Sequence, residues 1–223
     1  MLDLRQRSTE PELLDLGAPE HEVRQSLADI RFVNTWLGGR RALLEAVGRL
    51  LAKRAGPARL LDVGCGSGDL PGALQQRFEA LVPICLDIQR LHLREAPGGL
   101  CRVQADVLHL PFQESSVDIV TASLFLHHFD GDEVQRVLRQ LYAVSRRGVI
   151  VNDLRRAYVP YAFGRLFFPF LMRSRISVLD GLTSIRRSFT PNELRTAFHD
   201  ADLPDPTILK RFPYRLIAVV TKT

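Results

Sequence analysis

The chain lacks several features that would point to common classes of protein. Its three cysteines, an odd number at scattered positions among 223 residues, give neither a disulfide framework nor the paired spacing of a zinc site. No stretch approaches the ~20 apolar residues of a membrane span, and the N-terminus has no apolar segment of the kind found in secretion signals. We therefore expect a cytoplasmic protein whose length allows one α/β domain with an appendage.

Basic residues outnumber acidic ones, but they are not gathered into a recognition stripe. The net charge of +5 and the isoelectric point near 9.5 would suit a nucleic acid or an anionic surface. The arginines are instead spread along the chain, partly as doublets of the kind typical of solvated helix ends. A nucleic-acid partner is therefore not favoured. The doublets are Arg40-Arg41, Arg146-Arg147, Arg155-Arg156 and Arg186-Arg187.

The most informative stretch is a short apolar strand that runs into a glycine-rich turn. Residues 60–68 read Leu-Leu-Asp-Val-Gly-Cys-Gly-Ser-Gly. Glycine has no Cβ, so the three glycines can take positive φ and bring backbone N–H groups against a ligand at the start of the next helix. For the thiol of Cys65 we favour packing over redox chemistry. The candidate ligand-binding residues of this segment are Asp62, Gly64, Cys65, Gly66 and Gly68.

Two further predicted strands end in aspartate. The second strand ends at Asp87, where an acid can accept hydrogen bonds from both ribose hydroxyls of a nucleoside. The third ends at Asp106, and an acid there, beside the free N–H of Val107, can read the amino group and N1 of an adenine. A dinucleotide site prefers a third glycine, but Asp69 occupies that position. The pattern therefore predicts a site for one adenosine.

Strands alternate with helices through most of the chain, which predicts a doubly wound, mostly parallel α/β sheet of seven strands. Two β-rich runs, 207–212 and 215–221, are joined by only two residues, so we expect them to form an antiparallel hairpin. Asp130, three residues before Glu133, is the predicted N-cap of the helix that follows it, and Thr190 is the predicted start of another. The predicted helices between strands are 40–54, 69–78, 89–95 and 130–144.

We divide the chain into a helical N-terminal cap segment, residues 1–39, and an α/β domain, residues 40–223, which carries an insertion at about 155–188. The first thirty residues are polar and acidic. We expect them to form a loosely packed lead-in with short helices.

The insertion is rich in aromatic residues and follows the fifth predicted strand, at the edge where open α/β sheets bind ligands. Phe163, Phe167 and Phe170 lie at i, i+4 and i+7, so on a helix they share a face. Three interpretations stay open: a helix packed over the sheet, a lid whose apolar face forms a substrate pocket, or an aromatic helix that contacts a membrane surface transiently. Its other aromatic residues are Tyr158, Tyr161 and Phe168, and its arginines include Arg165, Arg173 and Arg175.

These features together resemble a known family. With a fourth strand at 117–123 and the segment Leu124-Phe-Leu-His-His-Phe129, they resemble class I S-adenosylmethionine-dependent methyltransferases over roughly residues 40–153. The Leu-His-His segment is similar to that of the small-molecule branch, typified by quinone-biosynthesis and natural-product enzymes. The resemblance implies S-adenosylmethionine as cofactor, S-adenosylhomocysteine as product and a small-molecule acceptor, in a monomer or homodimer. It implies cofactor contacts from the glycine loop, Asp87, Ile88, Asp106, Val107 and Ser123.

In relatives, helices that precede the glycine loop cover the cofactor site. The resemblance therefore implies that Asn34, Trp36 and the paired glycines Gly38 and Gly39 close over the methionine end of the cofactor. Removal of the chain through residue 39 would then weaken cofactor binding.

Two histidines and an aspartate are the candidate catalytic residues. His127 and His128 follow the fourth strand, near the methyl group that the resemblance implies, and a histidine there can act as a general base near neutral pH. The alternative for each is an imidazole that only packs and bonds to backbone groups. Asp153 ends the fifth strand, where it can accept a proton, orient a histidine, cap a helix, or pair with Arg155 or Arg156.

The acceptor is less constrained than the cofactor. Related sugar and phenol O-methyltransferases carry a matching histidine pair and acid, so the resemblance favours a phenolic oxygen on a small hydrophobic or aromatic acceptor, with Phe163, Phe167 and Phe170 in its pocket. Relatives that methylate carbon keep the same histidines, so C- or N-methylation stays open. A non-catalytic binding subunit is a further alternative, against which the intact glycine loop and the acids Asp87 and Asp106 argue.

We expect no bound metal ion. A catechol-type mechanism would need an acid near the end of the fourth strand, where this chain has Ser123. It would also need an Asp-Asn pair whose side chains bind the metal together. The side chains of the adjacent residues Asn152 and Asp153 point to opposite faces of a strand.

Overall fold

The computed structural model describes residues 3–52 and 56–222, which form a doubly wound α/β fold. Within these ranges a sheet of seven strands has the order β3-β2-β1-β4-β5-β7-β6. β1 to β5 are parallel, and β7 runs antiparallel to both β5 and β6. The predicted fold class is thus confirmed. The strands are β1 (Ala58–Val63), β2 (Leu81–Asp87), β3 (Cys101–Gln104), β4 (Val117–Ser123), β5 (Ser145–Leu154), β6 (Thr207–Arg211) and β7 (Arg215–Thr221).

The helices lie close to their predicted positions, with two differences at their ends. The predicted helix 40–54 is observed as α2, which ends at Leu51, and residue 54 lies outside the described ranges. The predicted N-cap at Asp130 is wrong, because α5 begins after Gly131 and the Asp130 carboxylate accepts a hydrogen bond from Arg187 instead. The helices are α1 (Glu20–Trp36), α2 (Gly39–Leu51), α3 (Asp69–Arg77), α4 (Arg90–Arg94), α5 (Asp132–Val144), α6 (Tyr158–Leu171), α7 (Arg175–Arg187) and α8 (Pro191–Asp200).

Helices cover both faces of the sheet. Alternate residues of β5 point to opposite sides, so Val149 and Val151 pack in the cluster that contains α5, and Ile150 packs in the cluster that contains α2. Every residue of β4 is buried, as is typical of a central parallel strand. The start of α8 is capped as predicted, since Thr190 and Glu193 exchange both bonds of a capping box.

The parallel strands deliver their C-terminal ends to one edge of the sheet. Val63 at the end of β1 pairs with Leu86, next to Asp87, and Ser123 at the end of β4 pairs with Asn152. The loops that follow these strands therefore meet at one place. None of the described helices is both long and apolar enough to span a bilayer.

Residues 3–17, which we term the N-terminal strap, run across α7 and are fixed to it. The Ser8 N–H donates to the Arg186 carbonyl at 3.1 Å, and the N–H groups of Leu13 and Leu14 donate to the Asp180 carboxylate at 2.7 and 3.0 Å. The strap consists of turns and irregular backbone, and the first helix begins at Glu20. The expectation of a loosely packed lead-in with short helices is therefore wrong.

Candidate active site

A cavity of about 690 Å³ opens at the C-terminal edge of the sheet. Its volume lies within the range of small-molecule sites. The strap, α1, the glycine loop, α6, α7 and the turn between β6 and β7 all contribute to its walls. The predicted cofactor residues that line it are Asp62, Gly64, Cys65, Gly66, Asp87, Ile88, Asp106, Val107 and Ser123.

The glycine loop has the backbone conformation that its sequence predicts. Gly64, Gly66 and Gly68 have φ values of 61°, 53° and 64°. A Cβ on Gly64 would lie 2.1 Å from the ring of Phe125, and a Cβ on Gly68 would lie 2.9 Å from the Cβ of Ala96. Gly68 thus serves close packing and is not part of the cavity wall.

Asp87 is buried with its carboxylate at the cavity wall. It accepts hydrogen bonds from the N–H groups of Gly66 at 2.9 Å and Gln89 at 2.8 Å. The Nδ1 of His92 also lies 3.3 Å from Asp87 Oδ1. A carboxylate offers about four acceptor positions, so capacity is left for a ribose hydroxyl. Asp106 caps the short turn that follows it by accepting from the Leu108 N–H at 2.9 Å.

Asp62 lies beneath the glycine loop and is buried. It accepts a hydrogen bond from the Thr121 hydroxyl at 2.5 Å. Burial raises the pKa of Asp62 to about 7, and the nearby carboxylates of Asp69 and Asp87 add to this effect, while the bond from Thr121 opposes it.

Arg215, which sequence reasoning missed, provides an unpaired buried cation at the cavity. Its side chain is fully buried and lines the cavity. Among the described residues, no acceptor pairs with its Nε or Nη1, whereas Nη2 lies 3.4 Å from the Asn34 side-chain oxygen. Burial lowers the pKa of Arg215 to about 10, so the group stays charged at neutral pH. An arginine at the start of an apolar strand was the only signal for it.

Only part of the segment expected to close over the cofactor lies at the cavity. Asn34 is buried and lines the cavity, while Trp36 is exposed and does not. Gly38 and Gly39 allow close packing, because a Cβ there would lie 2.6 Å from the Phe212 carbonyl and 2.9 Å from the Arg215 guanidinium.

The two histidines are stacked, and a carboxylate from a distant segment holds each of them. The rings of His127 and His128 lie 4.5 Å apart between centroids. His127 is buried, with Nδ1 2.7 Å from Asp153 and Nε2 3.1 Å from Glu12. His128 is partly exposed at the cavity, with Nδ1 2.7 Å from Asp15.

The contacts of His127 determine its charge. Burial acts to lower the pKa of His127, but Asp153 and Glu12 outweigh it and raise the pKa to about 10. Burial acts to raise the pKa of Glu12, but the two histidines lower it to about 2. His127 is therefore an imidazolium that donates from both nitrogens. The Nε2 of His128 lies 3.9 Å from Glu12, beyond hydrogen-bond reach of it.

Glu12 and Asp15 lie on the strap and were not predicted as site residues. Nothing in the spacing of a polar lead-in links them to histidines more than 100 positions later. Glu12, His127 and His128 are also the described groups that could hold a metal ion, since their donor atoms lie within 4.8 Å of one another. Carboxylates already engage both nitrogens of His127, which leaves neither nitrogen free to bind a metal ion. The absence of a metal stays a prediction.

The structure brings together only part of the predicted acceptor pocket. Phe163 lines the cavity, and so does Phe168, which was not singled out. Phe167 and Phe170 do not line it, and Phe170 is 84% exposed. The three predicted phenylalanines share a face of α6, as predicted. That face is largely exposed, because Gly164 and Phe168 are the residues of α6 that pack against the rest of the protein.

Comparisons with known proteins agree with this geometry. Residues 61–151 match the family model described as a methyltransferase domain. A malonyl-[acyl-carrier protein] O-methyltransferase of Dechloromonas aromatica is 34% identical over 95 residues, 43% of this chain and 35% of that protein. The one of Geobacter sulfurreducens is 28% identical over 71% of this chain and 60% of that protein. The chain thus spans about a third to three fifths of these relatives.

Solved structures with low sequence identity share the fold. A SAM-dependent methyltransferase from Aquifex aeolicus has a TM-score of 0.65 at 12% identity, and the match covers 92% of this chain and 99% of that one. The plantazolicin methyltransferase BpumL, solved in complex with a triazolic desmethylPZN analog and SAH, has a TM-score of 0.67 at 13% identity with the same coverage. These solved structures thus share the fold of this chain, and the methyltransferase-domain model matches residues 61–151 within it.

Proposed function

We propose that this protein transfers a methyl group from S-adenosylmethionine to a phenolic oxygen of a small hydrophobic or aromatic acceptor. The observation that carries the proposal is that one cavity joins a cradle for an adenosine to a histidine oriented by a carboxylate. When bound in the cradle, S-adenosylmethionine supplies an electrophilic methyl group, and the protein has to align the acceptor and exclude water.

The residues of the cradle fit the polar parts of the cofactor. Asp87 has acceptor capacity left for a ribose hydroxyl. Asp106 and Val107 line the same cavity, and we assign them to the adenine edge. Arg215 offers two buried, unpaired donors suited to a carboxylate such as that of the methionine end. An unpaired buried guanidinium is costly, so an anionic ligand at this point would stabilise the folded protein.

His128 is the candidate general base. Its Nδ1 faces Asp15, which favours the tautomer with the proton on Nδ1 and leaves Nε2 free to accept a proton from a phenol. His127 cannot take this role while it donates from both nitrogens, and its contacts with Asp153 and Glu12 instead fix the stack on which His128 rests.

Equilibrium binding tests the cofactor half of the proposal. We expect one S-adenosylhomocysteine to bind per chain in isothermal titration. Asp87→Ala leaves the ribose hydroxyls without their acceptor, which should cost roughly 1–3 kcal/mol, or about 5- to 150-fold in affinity. Asp205→Ala, which changes an exposed acid far from the cavity, is the matched control. Equal affinity of wild type and Asp87→Ala for S-adenosylhomocysteine would show that Asp87 does not bind the ribose.

A carboxylate acceptor is the second candidate, favoured by the malonyl-[acyl-carrier protein] O-methyltransferases among the relatives. Such an acceptor needs no general base. The carboxylates of Glu12, Asp15 and Asp180 at the cavity wall would repel it, whereas a neutral phenol meets no such barrier. Methylation of a malonyl thioester but of no phenol would decide for this alternative.

A further inference from the structure

The outer face of α6 is apolar but lies in solvent. The helix spans Tyr158–Leu171 and contains one charged residue, Arg165. Only Gly164 and Phe168 are buried. Along one face, at i, i+4, i+7 and i+11, lie exposed side chains that together form what we term the α6 outer face: Val159, Phe163, Leu166 and Phe170.

α6 is anchored on its opposite side through a single aromatic side chain. The ring of Phe168 fits against Gly164 of its own helix and Gly181 of α7, where a Cβ on either glycine would lie 2.8 Å from the ring. The packed side of the helix is therefore complete. Among the exposed apolar side chains, the ring of Phe163 also contacts that of Phe168, with 6.4 Å between the ring centroids.

The segment of chain that carries the α6 outer face is positively charged, and Asp29 and Glu22 of α1 meet it only at Arg173 and Ser174. Residues 155–179 contain five arginines and no aspartate or glutamate. Arg165, Arg173 and Arg175 are exposed, and none of the three has an ion-pair partner within the described parts of the chain. Arg165 lies about 200° around the helix from Phe163, and Arg173 and Arg175 follow the end of α6. An apolar helix face with cationic residues nearby in the chain has the composition of an interfacial membrane helix.

We propose that the α6 outer face docks on an anionic lipid bilayer, with Leu166 and Phe170 in the interfacial layer and the three arginines against lipid head groups. The arginines and the anionic surface are complementary in charge. Phe163 belongs to the outer face and also lines the cavity. Resting on the proposed function, this means that a hydrophobic acceptor enters from the lipid phase along α6.

Vesicle sedimentation of the whole purified chain, without cofactor or acceptor, tests the docking alone. We expect little binding to phosphatidylcholine vesicles and at least tenfold stronger partitioning when 30% phosphatidylglycerol is included. Binding should weaken as salt rises, because the attraction is screened. Absence of binding to the anionic vesicles at low salt would overturn the proposal and leave the methyl-transfer proposal unaffected.

Matched variants separate the α6 outer face from charge in general. We expect Leu166→Asp with Phe170→Asp to lose at least tenfold in partitioning, and Arg165→Gln with Arg173→Gln and Arg175→Gln to lose the phosphatidylglycerol dependence. The control, Arg41→Gln with Arg49→Gln and Arg136→Gln, makes the same charge change on exposed arginines of α2 and α5 and should bind as wild type. Circular dichroism confirms that each variant is folded.

Two other occupants are outcomes of the same series. If analytical ultracentrifugation shows a dimer that Phe170→Asp converts to a monomer, while vesicle binding is unchanged, the face is a self-association surface and the proposal is wrong. It is also wrong if the chain binds an acidic acyl carrier protein through these arginines but binds no vesicles.

Discussion

At the scale of single residues, the cavity is lined by buried ionisable side chains, most of which are hydrogen-bonded to a specific partner residue. His127 is held by Asp153 and Glu12, and Asp62 by Thr121. Arg215 differs, because two of its donors have no partner among the described residues. Each arrangement gives a separate testable consequence.

Arg215 should recognise the carboxylate of the cofactor. We expect Arg215→Met to bind S-adenosylhomocysteine roughly 10- to 100-fold more weakly, since a charge-assisted bond is worth about 1.5–3 kcal/mol. Binding of methylthioadenosine, which lacks the carboxylate, should change little. The comparison of the two ligands corrects for any general disturbance of the site. An equal loss for both would show that Arg215 serves only the fold.

His128 should set the rate of transfer. If it is the general base, His128→Ala should lower kcat by about 10²–10⁴ and flatten the acidic limb of the pH–rate profile. Asp15→Asn keeps the size of the orienting group but weakens it, so we expect a smaller loss in kcat with KM unchanged. His199→Ala, an exposed histidine outside the cavity, is the control. Near-full turnover of His128→Ala would leave alignment of the acceptor as the better explanation.

Asp62 should make stability depend on pH. Its pKa is about 7 in the folded protein against an ordinary value of 3.8, so the folded state holds the proton more tightly. The stability that this provides is complete below pH 3.8 and is lost as the pH rises from there through about 7. Thermal unfolding of wild type and Asp62→Asn should therefore diverge as the pH rises from 3.8 to about 7, with wild type losing more stability. Parallel curves would contradict the burial effect.

At the scale of elements, the N-terminal strap completes the candidate active site. It carries Glu12 and Asp15 to the histidines, and Asp180 and Arg187 of α7 hold it through its backbone groups. The strap thus links the histidine pair to the same helix that supports α6.

Removal of residues 3–17 should separate turnover from cofactor binding. The strap contributes partners to the histidines but no residue of the adenosine cradle. We expect kcat to fall at least tenfold while the Kd for S-adenosylhomocysteine changes less than threefold, with folding checked by thermal unfolding. Unchanged turnover would show that the strap only covers α7.

The strands and most helices could be predicted because their signals are local. A few adjacent residues are enough to identify each of these signals. They are the acid and glycines at 62–68, the aspartate at 87 and the Thr190–Glu193 cap. The strap could not be predicted, because its contacts join positions more than 100 residues apart. The orientation of α6 could not be predicted either, because Phe168, and not Phe167, packs against α7 through the space left by Gly164 and Gly181.

At the scale of the whole molecule, the cavity has two kinds of wall. The ends of β1, β2 and β4 provide the side where the cofactor cradle lies, and α6, α7 and the strap provide the side of the histidines and Phe163. The arginine-rich, apolar outer face of α6 borders the second side. The proposed cofactor binding, methyl transfer and membrane docking therefore depend on different sets of residues, except that Phe163 belongs to both the cavity and the α6 outer face.

The central claim is methyl transfer to a phenolic oxygen, and mass spectrometry of the product tests it most directly. Purified protein would be incubated with deuteromethyl-labelled S-adenosylmethionine and a panel of alkyl-substituted phenols, with a malonyl thioester as the competing acceptor, in the presence and absence of a chelator. The account predicts a labelled methyl ether on a phenol, formed equally with the chelator and abolished or strongly reduced by His128→Ala. A label found only on the carboxylate, or only on carbon, would contradict it.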